Sequence, residues 1–259
     1  MTDFLDKLIS DAEQRIQHDY YNVTTKINHQ QISLSQALKN KIRNAIVAEI
    51  KPKSPSRGIL RATLDPIDTA IRLARGGAIG LSVLTEPDNF AGTLERLPQI
   101  RSWVNIPLLM KDVIVDEKQI TAGRESGADC ILLMLSALSK RNIESADLIE
   151  KAHDSLLEVL LEVHDLDELT LATETEADII GINNRNMTSL EIDLDTTPKL
   201  LGSIAAKQLR GKQVISESGI ETVDDVQRLK RSQVDGFLVG SSIMLARDPE
   251  SKVRELVHA

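Results

Sequence analysis

Cysteine and aromatic residues are nearly missing from this chain, whose 259 residues include one Cys, one Trp, two Tyr and three Phe. The single thiol, Cys130, sits inside an apolar run, so neither a disulfide framework nor a cysteine metal site is available. Histidine does not fill the gap: His18, His29, His153 and His258 show no metal-ligand spacing with one another or with Cys130, and no metal site is expected. No apolar stretch reaches the length of a membrane span. Basic charge is in deficit, with a net charge of −8, which argues against a nucleic-acid partner, because binding a phosphate backbone needs a dominant basic face. The amino terminus, MTDFLDKLISDAEQR, carries acids early and has helical spacing at Phe4, Leu5, Leu8, Ile9 and Ala12. It reads as neither a secretory signal nor a transit peptide, and a cytoplasmic location is expected.

Residues 48–58, AEIKPKSPSRG, form a short apolar run that ends in a carboxylate and an ammonium two positions apart, then breaks into a Ser/Pro/Gly turn. In an extended strand, Ala45, Val47, Glu49 and Lys51 share one face, and Ile46, Ala48 and Ile50 share the other. Two charged groups at the end of a buried strand cost several kcal/mol in desolvation unless they are paired or functional. The segment therefore points to an enzyme.

The same pattern recurs down the chain. NIPLLMKD ends in Lys111, LLEVLLEVHD in Glu162 and His164, ADIIGINNRN in Asn183 and Arg185, KQVISESGI in Glu217, Ser218 and Gly219, and DGFLVGSS in Gly240 and Ser241. With GAIGLSVLTE and ADCILLMLS these make eight candidate strands. Each is followed by helical periodicity, at 66–75, 92–102, 116–126, 142–153, 165–174, 196–206, 222–231 and 249–257. Eight strand-then-helix units in one chain of this length predict a (β/α)₈ TIM barrel, whose active site sits at the C-terminal ends of the strands. The expectation is a single domain, with residues 1–43 as an N-terminal helical extension and 44–259 as the barrel. The extension holds a helix, a polar stretch and a second short helix starting near Ser33. A helix closing the barrel bottom and a helix reaching over the mouth both fit its spacing.

On this reading Lys51, Lys53, Lys111 and Arg185 converge at the mouth, a positive pocket on an acidic protein that suits a small anion. Phosphate is the favoured anion. Gly219, and then Gly240, Ser241 and Ser242, follow the seventh and eighth strands, where barrels bind phosphate on backbone N–H groups. Ser54 and Ser56 either add hydroxyl donors or serve the turn around Pro55. Asp112 is expected to face away and pair locally, and His164 to stand behind Glu162 or a ligand.

These segments, with LSVLTEPDNFAGT and GFLVGSSIM, resemble the indole-3-glycerol phosphate synthase family of tryptophan biosynthesis in order and spacing, essentially end to end. The resemblance implies catalytic residues at Glu49, Lys51, Lys111, Glu162, Asn183, Glu217 and Ser218, and ligand contacts at Ser54, Phe90, Arg185, Gly219, Gly240 and Ser241. It further implies a decarboxylating, dehydrating ring closure that needs no cofactor, acting on a small phosphorylated substrate. Neither a membrane nor a nucleic-acid partner is expected. The oligomeric state is left open, with a monomer compatible. Val113 stands where the family usually has Phe, and Asn89 where an aromatic often precedes Phe90, so the aromatic wall of the pocket is thinner. A phosphate-binding sugar isomerase would share the phosphate site but lack the Glu49/Lys51 pair combined with Lys111. A non-catalytic sensor barrel would not need intact acids and bases.

Overall fold

The computed structural model describes residues 3–259. Eight parallel strands close on themselves: β1 (Ile46–Ile50), β2 (Gly80–Leu84), β3 (Leu108–Lys111), β4 (Cys130–Met134), β5 (Glu158–Val163), β6 (Ile179–Asn183), β7 (Gln213–Glu217) and β8 (Gly236–Val239). The seam pairs β1 with β8, Val47 opposite Leu238, and closure leaves no open sheet edge. This is the expected TIM barrel.

Strand alternation sorts the apolar side chains into two layers. Val47, Leu109, Cys130, Leu132, Leu160, Ile179, Ile215 and Leu238 fill the barrel interior. Ile46, Ile50, Val83, Met110, Leu133, Val159, Ile180, Val214 and Val239 point outward into the ring of helices. Each fully buried aliphatic side chain contributes roughly 1.5–3 kcal/mol.

The surrounding helices are α3 (Pro66–Arg75), α4 (Arg96–Arg101), α5 (Glu117–Glu125), α7 (Ser145–Asp154), α8 (Leu166–Glu174), α9 (Thr196–Ser203), α10 (Val223–Lys230) and α12 (Pro249–Val257), with the short α11 (Ser241–Leu245) following β8. Local chemistry sets their starts: Asp65 caps α3 with Pro66 just inside, and Asp116 and Thr222 open capping boxes. Two boundaries differ from the periodicity. The helix expected over 92–102 begins only at Arg96, because Gly92 is folded back under the carbonyls of Leu84 and Glu86. The apolar run after Asp129 passes from β4 straight into an extra helix, α6 (Leu135–Lys140), with no turn residue to mark the change. Asn142, at φ 54°, then separates α6 from α7.

The extension uses both placements that its sequence allowed, with one helix for each. The first, α1 (Phe4–Gln17), lies over the barrel mouth, where Phe4 and Leu8 line the central cavity. The second, α2 (Leu34–Lys39), plugs the bottom, where Leu34 and Leu38 are fully buried in the interior cluster. Two buried carboxylates pin the linking segment to the barrel flank and bottom. Asp129 accepts from His29 Nε2 (3.0 Å), the Ile32 amide (2.9 Å) and Arg101 Nη1 (2.6 Å). Glu158 accepts from the amides of Leu34 (2.6 Å) and Ser35 (3.0 Å) at the start of α2. Among the described residues no helix is long and apolar enough to cross a membrane.

Candidate active site

The strand-end residues singled out in the sequence face one cavity at the C-terminal mouth of the barrel, except His164, which borders a cleft beside it. Glu49, Lys51, Lys111, Glu162, Asn183, Glu217 and Ser218 line it, together with Ser54, Phe90, Arg185, Gly219, Gly240 and Ser241. One expectation for the mouth needs correction. Lys53 is not among the lining residues, because it sits in a small hairpin of Lys53–Ser54 against Gly58–Ile59 that turns it away. Arg57, at the turn of that hairpin, reaches the cavity instead and pairs with Glu221. Ser54 serves the turn, accepting from the Arg57 amide at 3.1 Å, while Ser56 contacts Arg185 Nη1 at 3.1 Å.

The centre of the cavity is an ammonium between carboxylates. Lys111 Nζ lies 2.8 Å from Glu217 Oε2 and 3.3 Å from Glu162 Oε2, while Lys51 pairs with Glu49. Burial opposes the charge on Lys111, but Glu217, Glu162 and Glu49 outweigh it and hold the ammonium well above its ordinary pKa. Burial also opposes ionisation of Glu162, yet Lys111, His164 and Asn183 overcome it and keep that carboxyl far below the usual range. Glu217 goes the other way. Burial and the neighbouring Glu162 and Glu49 exceed the help from Lys111, pushing Glu217 up to about 7. Two carboxylates around one ammonium thus split into a firm anion and a group that titrates near neutrality, a pattern characteristic of proton-transfer sites.

Glycines make the room for these carboxylates. A Cβ on Gly181 would lie 2.2 Å from Glu217 Oε1, and one on Gly240 would lie 2.3 Å from Glu49 Oε1. The β7 end is also strained: Ser218 adopts φ 66° and Gly219 φ 82°. Asn184 holds that bend, its Nδ2 donating to the carbonyls of Glu217 (2.9 Å) and Ser218 (3.1 Å). No hydrogen bond among the described residues uses the backbone N–H of Gly219 or Ser241, which leaves both donors for an anion. At the rim, burial lowers the pKa of Arg185, and the Arg57 charge beside it lowers it further.

A clamp on α1 closes the mouth. Arg15 bonds Glu86 Oε1 (3.1 Å), Asp88 Oδ2 (2.5 Å) and Asp112 Oδ1 (3.4 Å). Asp112 therefore does pair, but with a helix 97 residues away as well as with Thr85 (2.6 Å) and its neighbouring amide of Val113 (2.8 Å). Glu86 also accepts from the amides of Asn89 and Phe90, tying the loop that presents Phe90 to α1. Asn89, in a position where an aromatic was expected, bridges Lys7 and Asp11 of α1. Asp11, Glu86 and Asp88 are close enough to share a cation, and the Arg15 guanidinium already occupies the space beside two of them.

Arg57, Gly181, Asn184 and the α1 clamp escaped the sequence reading. Arg57 lay beyond a hairpin that period-2 alternation could not anticipate. Gly181 and Asn184 carried a readable signal, a glycine inside a strand and a second polar residue at a strand end, that only a partner's position gives meaning.

A model of the family described as Indole-3-glycerol phosphate synthase matches residues 5–256. An indole-3-glycerol phosphate synthase of Polaromonas sp. (strain JS666 / ATCC BAA-500) is 38% identical over 266 aligned positions, covering 99% of this chain and 98% of that protein. One of Polaromonas naphthalenivorans (strain CJ2) is 41% identical over 223 positions, covering 85% and 82%. Among solved structures, thiamine phosphate pyrophosphorylase from Pyrococcus furiosus superposes with a TM-score of 0.60 at 19% identity, covering 86% of this chain and 96% of that one, a likeness of fold alone.

Proposed function

We propose a division of labour among the mouth residues from one premise: the chain belongs to the indole-3-glycerol phosphate synthase family. The reaction is ring closure of 1-(o-carboxyphenylamino)-1-deoxyribulose 5-phosphate to indole-3-glycerol phosphate, with loss of carbon dioxide and water. The observation that carries the mechanism is the Lys111 ammonium held between Glu162 and Glu217 inside a lidded mouth.

Ring closure needs a proton at the ribulose carbonyl oxygen while the aromatic carbon attacks the carbonyl carbon. Lys111 supplies it: its neighbours keep it charged, and the oxygen becomes a strong base only as the new bond forms. Lys51, held by Glu49, binds the substrate carboxylate until carbon dioxide leaves and the ring regains aromaticity. Glu162, the firm anion, faces the positive charge that develops on the anilino nitrogen. Dehydration then needs a base to take a ring proton and an acid to give the departing hydroxyl its proton. Glu217, titrating near neutrality, suits this exchange, with Glu49 assisting. Asn183 and Phe90 orient the substrate. Val113 and Met134 add apolar, non-aromatic surface to a wall whose aromatic rings are Phe4 and Phe90.

Phosphate is assigned to the free N–H groups of Gly219 and Ser241. Gly240 is a poor place to test this, because any side chain there collides with Glu49. Ser241→Asp puts a carboxylate against the anion instead. Steady-state kinetics followed by indole fluorescence should show product formation by the wild type. The variant should show KM raised at least about tenfold and inorganic phosphate weakened as a competitive inhibitor, with kcat changed far less. Unchanged KM and unchanged phosphate inhibition would put the phosphate elsewhere, at the Arg57 and Arg185 rim.

A further inference from the structure

His164 is the one imidazole beside the mouth, and its contacts are lopsided. Its Nε2 lies 3.3 Å from Glu162 Oε1, an ion-pair distance without hydrogen-bond geometry, and its Nδ1 lies 3.2 Å from Glu168 Oε2. The same Glu168 oxygen accepts from the His164 amide at 2.7 Å, which fixes the ring against the start of α8. Glu162 therefore meets two cations, Lys111 at one oxygen and His164 at the other, while Glu217 meets Lys111 alone. The second oxygen of Glu217, Oε1, is buried without a hydrogen-bond partner.

We propose that His164 is a positioning residue that decides which carboxylate around Lys111 carries the proton, keeping Glu162 ionised and leaving the proton to Glu217. The proposal rests on the ring-closure reading for its consequences in catalysis, but the proton's location is a property of the protein alone.

The surroundings favour a charged imidazole. Burial works against the cation, yet the carboxylates of Glu162 and Glu168 outweigh it and push His164 up to about 10. His164 borders a polar cleft beside the mouth, where the cap residue Asp165 and Glu168 of α8 lie on one side, and the loop after β6 contributes Arg185, Glu191 and Asp193. From the remaining sides come Lys140 of α6 and Asp3 ahead of α1, paired with each other at 2.9 Å. Apart from that pair, and from Asp193, which Lys199 holds at 3.0 Å, the cleft offers three carboxylates against Arg185, so it supports a cation at His164. Glu162 itself faces Lys111 of β3, Glu217 of β7 and, through the shared ammonium, Glu49 of β1. Lys111 lies closer to Glu217 than to Glu162, so the cation that favours Glu162 is His164.

The sign follows from the charge. Removing the cation raises the pKa of Glu162, so the proton shared by the pair spends part of its time there, and the loss of the anion is felt on the acid side. His164→Gln keeps a polar side chain and loses the charge, whereas His164→Lys keeps the charge. For His164→Gln the kcat ratio of wild type to variant should rise by about tenfold from pH 9 down to pH 6, and for His164→Lys it should stay flat. A loss in His164→Gln equal at every pH, or no loss at any pH, would overturn the proposal.

A second measurement needs neither substrate nor a His164 variant. In protein with 13C-labelled glutamate carboxyls, one buried carboxyl should titrate between pH 6 and 8. That signal should vanish in Glu217→Gln and remain in Glu162→Gln, moved to lower pH because the neighbouring negative charge is gone. Its persistence in Glu217→Gln would place the proton on the wrong glutamate and sink the idea, whatever the protein proves to catalyse.

Discussion

Lys111→Ala is expected to lower kcat by roughly a hundred- to ten-thousand-fold while the barrel still folds. The side chain ends β3 on the interior face and is, among the described residues, the only ammonium shared by Glu162 and Glu217. Its removal deletes the proton donor for the carbonyl. It also leaves two buried carboxylates without their shared cation, so both take up protons more readily and Glu162, held then by His164 alone, is a weaker anion. Losing the donor and the charge pattern together puts the effect toward the large end of that range. Circular dichroism and a thermal melt would separate this chemical loss from unfolding. Lys53→Ala is the matched control, since Lys53 lies in the hairpin and outside the cavity lining; its kcat should stay within about tenfold of wild type. Equal losses in the two variants would show that the wrong lysine has been assigned.

Gly181→Ala should cost roughly a hundredfold in kcat, although no reacting group is touched. Gly181 pairs in register with Glu162 on β5 and with Ile215 on β7, so it lies between the two strands that carry the paired carboxylates. The added methyl would lie 2.2 Å from Glu217 Oε1 and 2.7 Å from Leu160 Cδ2. Something must move by about an ångström, and displacements of that size in a proton-transfer array cost about two orders of magnitude. Overpacking adds about 1–3 kcal/mol of destabilisation, which a denaturant melt would register separately. Wild-type kcat in a folded Gly181→Ala variant would mean that Glu217 tolerates displacement and does not take part in a tightly positioned step.

The barrel was legible because its signals are local and repeated. Eight apolar runs ending in polar residues give a strand period and a C-terminal face together, and alternation put Glu49, Lys51 and Lys111 on the inward side, where they are found. What alternation cannot supply is whatever lies beyond a strand's last residue. Lys53 and Arg57 exchanged places because a hairpin of two short strands reversed the chain there. The extra helix α6 was hidden because its apolar residues continue those of β4. The α1 clamp was invisible for a different reason: Arg15, Glu86, Asp88 and Asp112 come from three separate segments, and only the folded chain brings them together. His164 falls between these cases. Its position one step past Glu162 was readable, but its unequal effect on Glu162 and Glu217 depends on which oxygen each neighbour reaches.

The central claim is that this mouth, using only its own acids and bases, closes the indole ring. It is tested most directly by mixing the purified protein, with metals chelated and no nucleotide or pyridoxal phosphate added, with 1-(o-carboxyphenylamino)-1-deoxyribulose 5-phosphate. Indole fluorescence and carbon dioxide release should be followed in the same sample. The account predicts that both appear, in equal amounts and at a rate unaffected by the chelator. Absence of the indole product, carbon dioxide released without ring closure, or a strict requirement for added metal would contradict it.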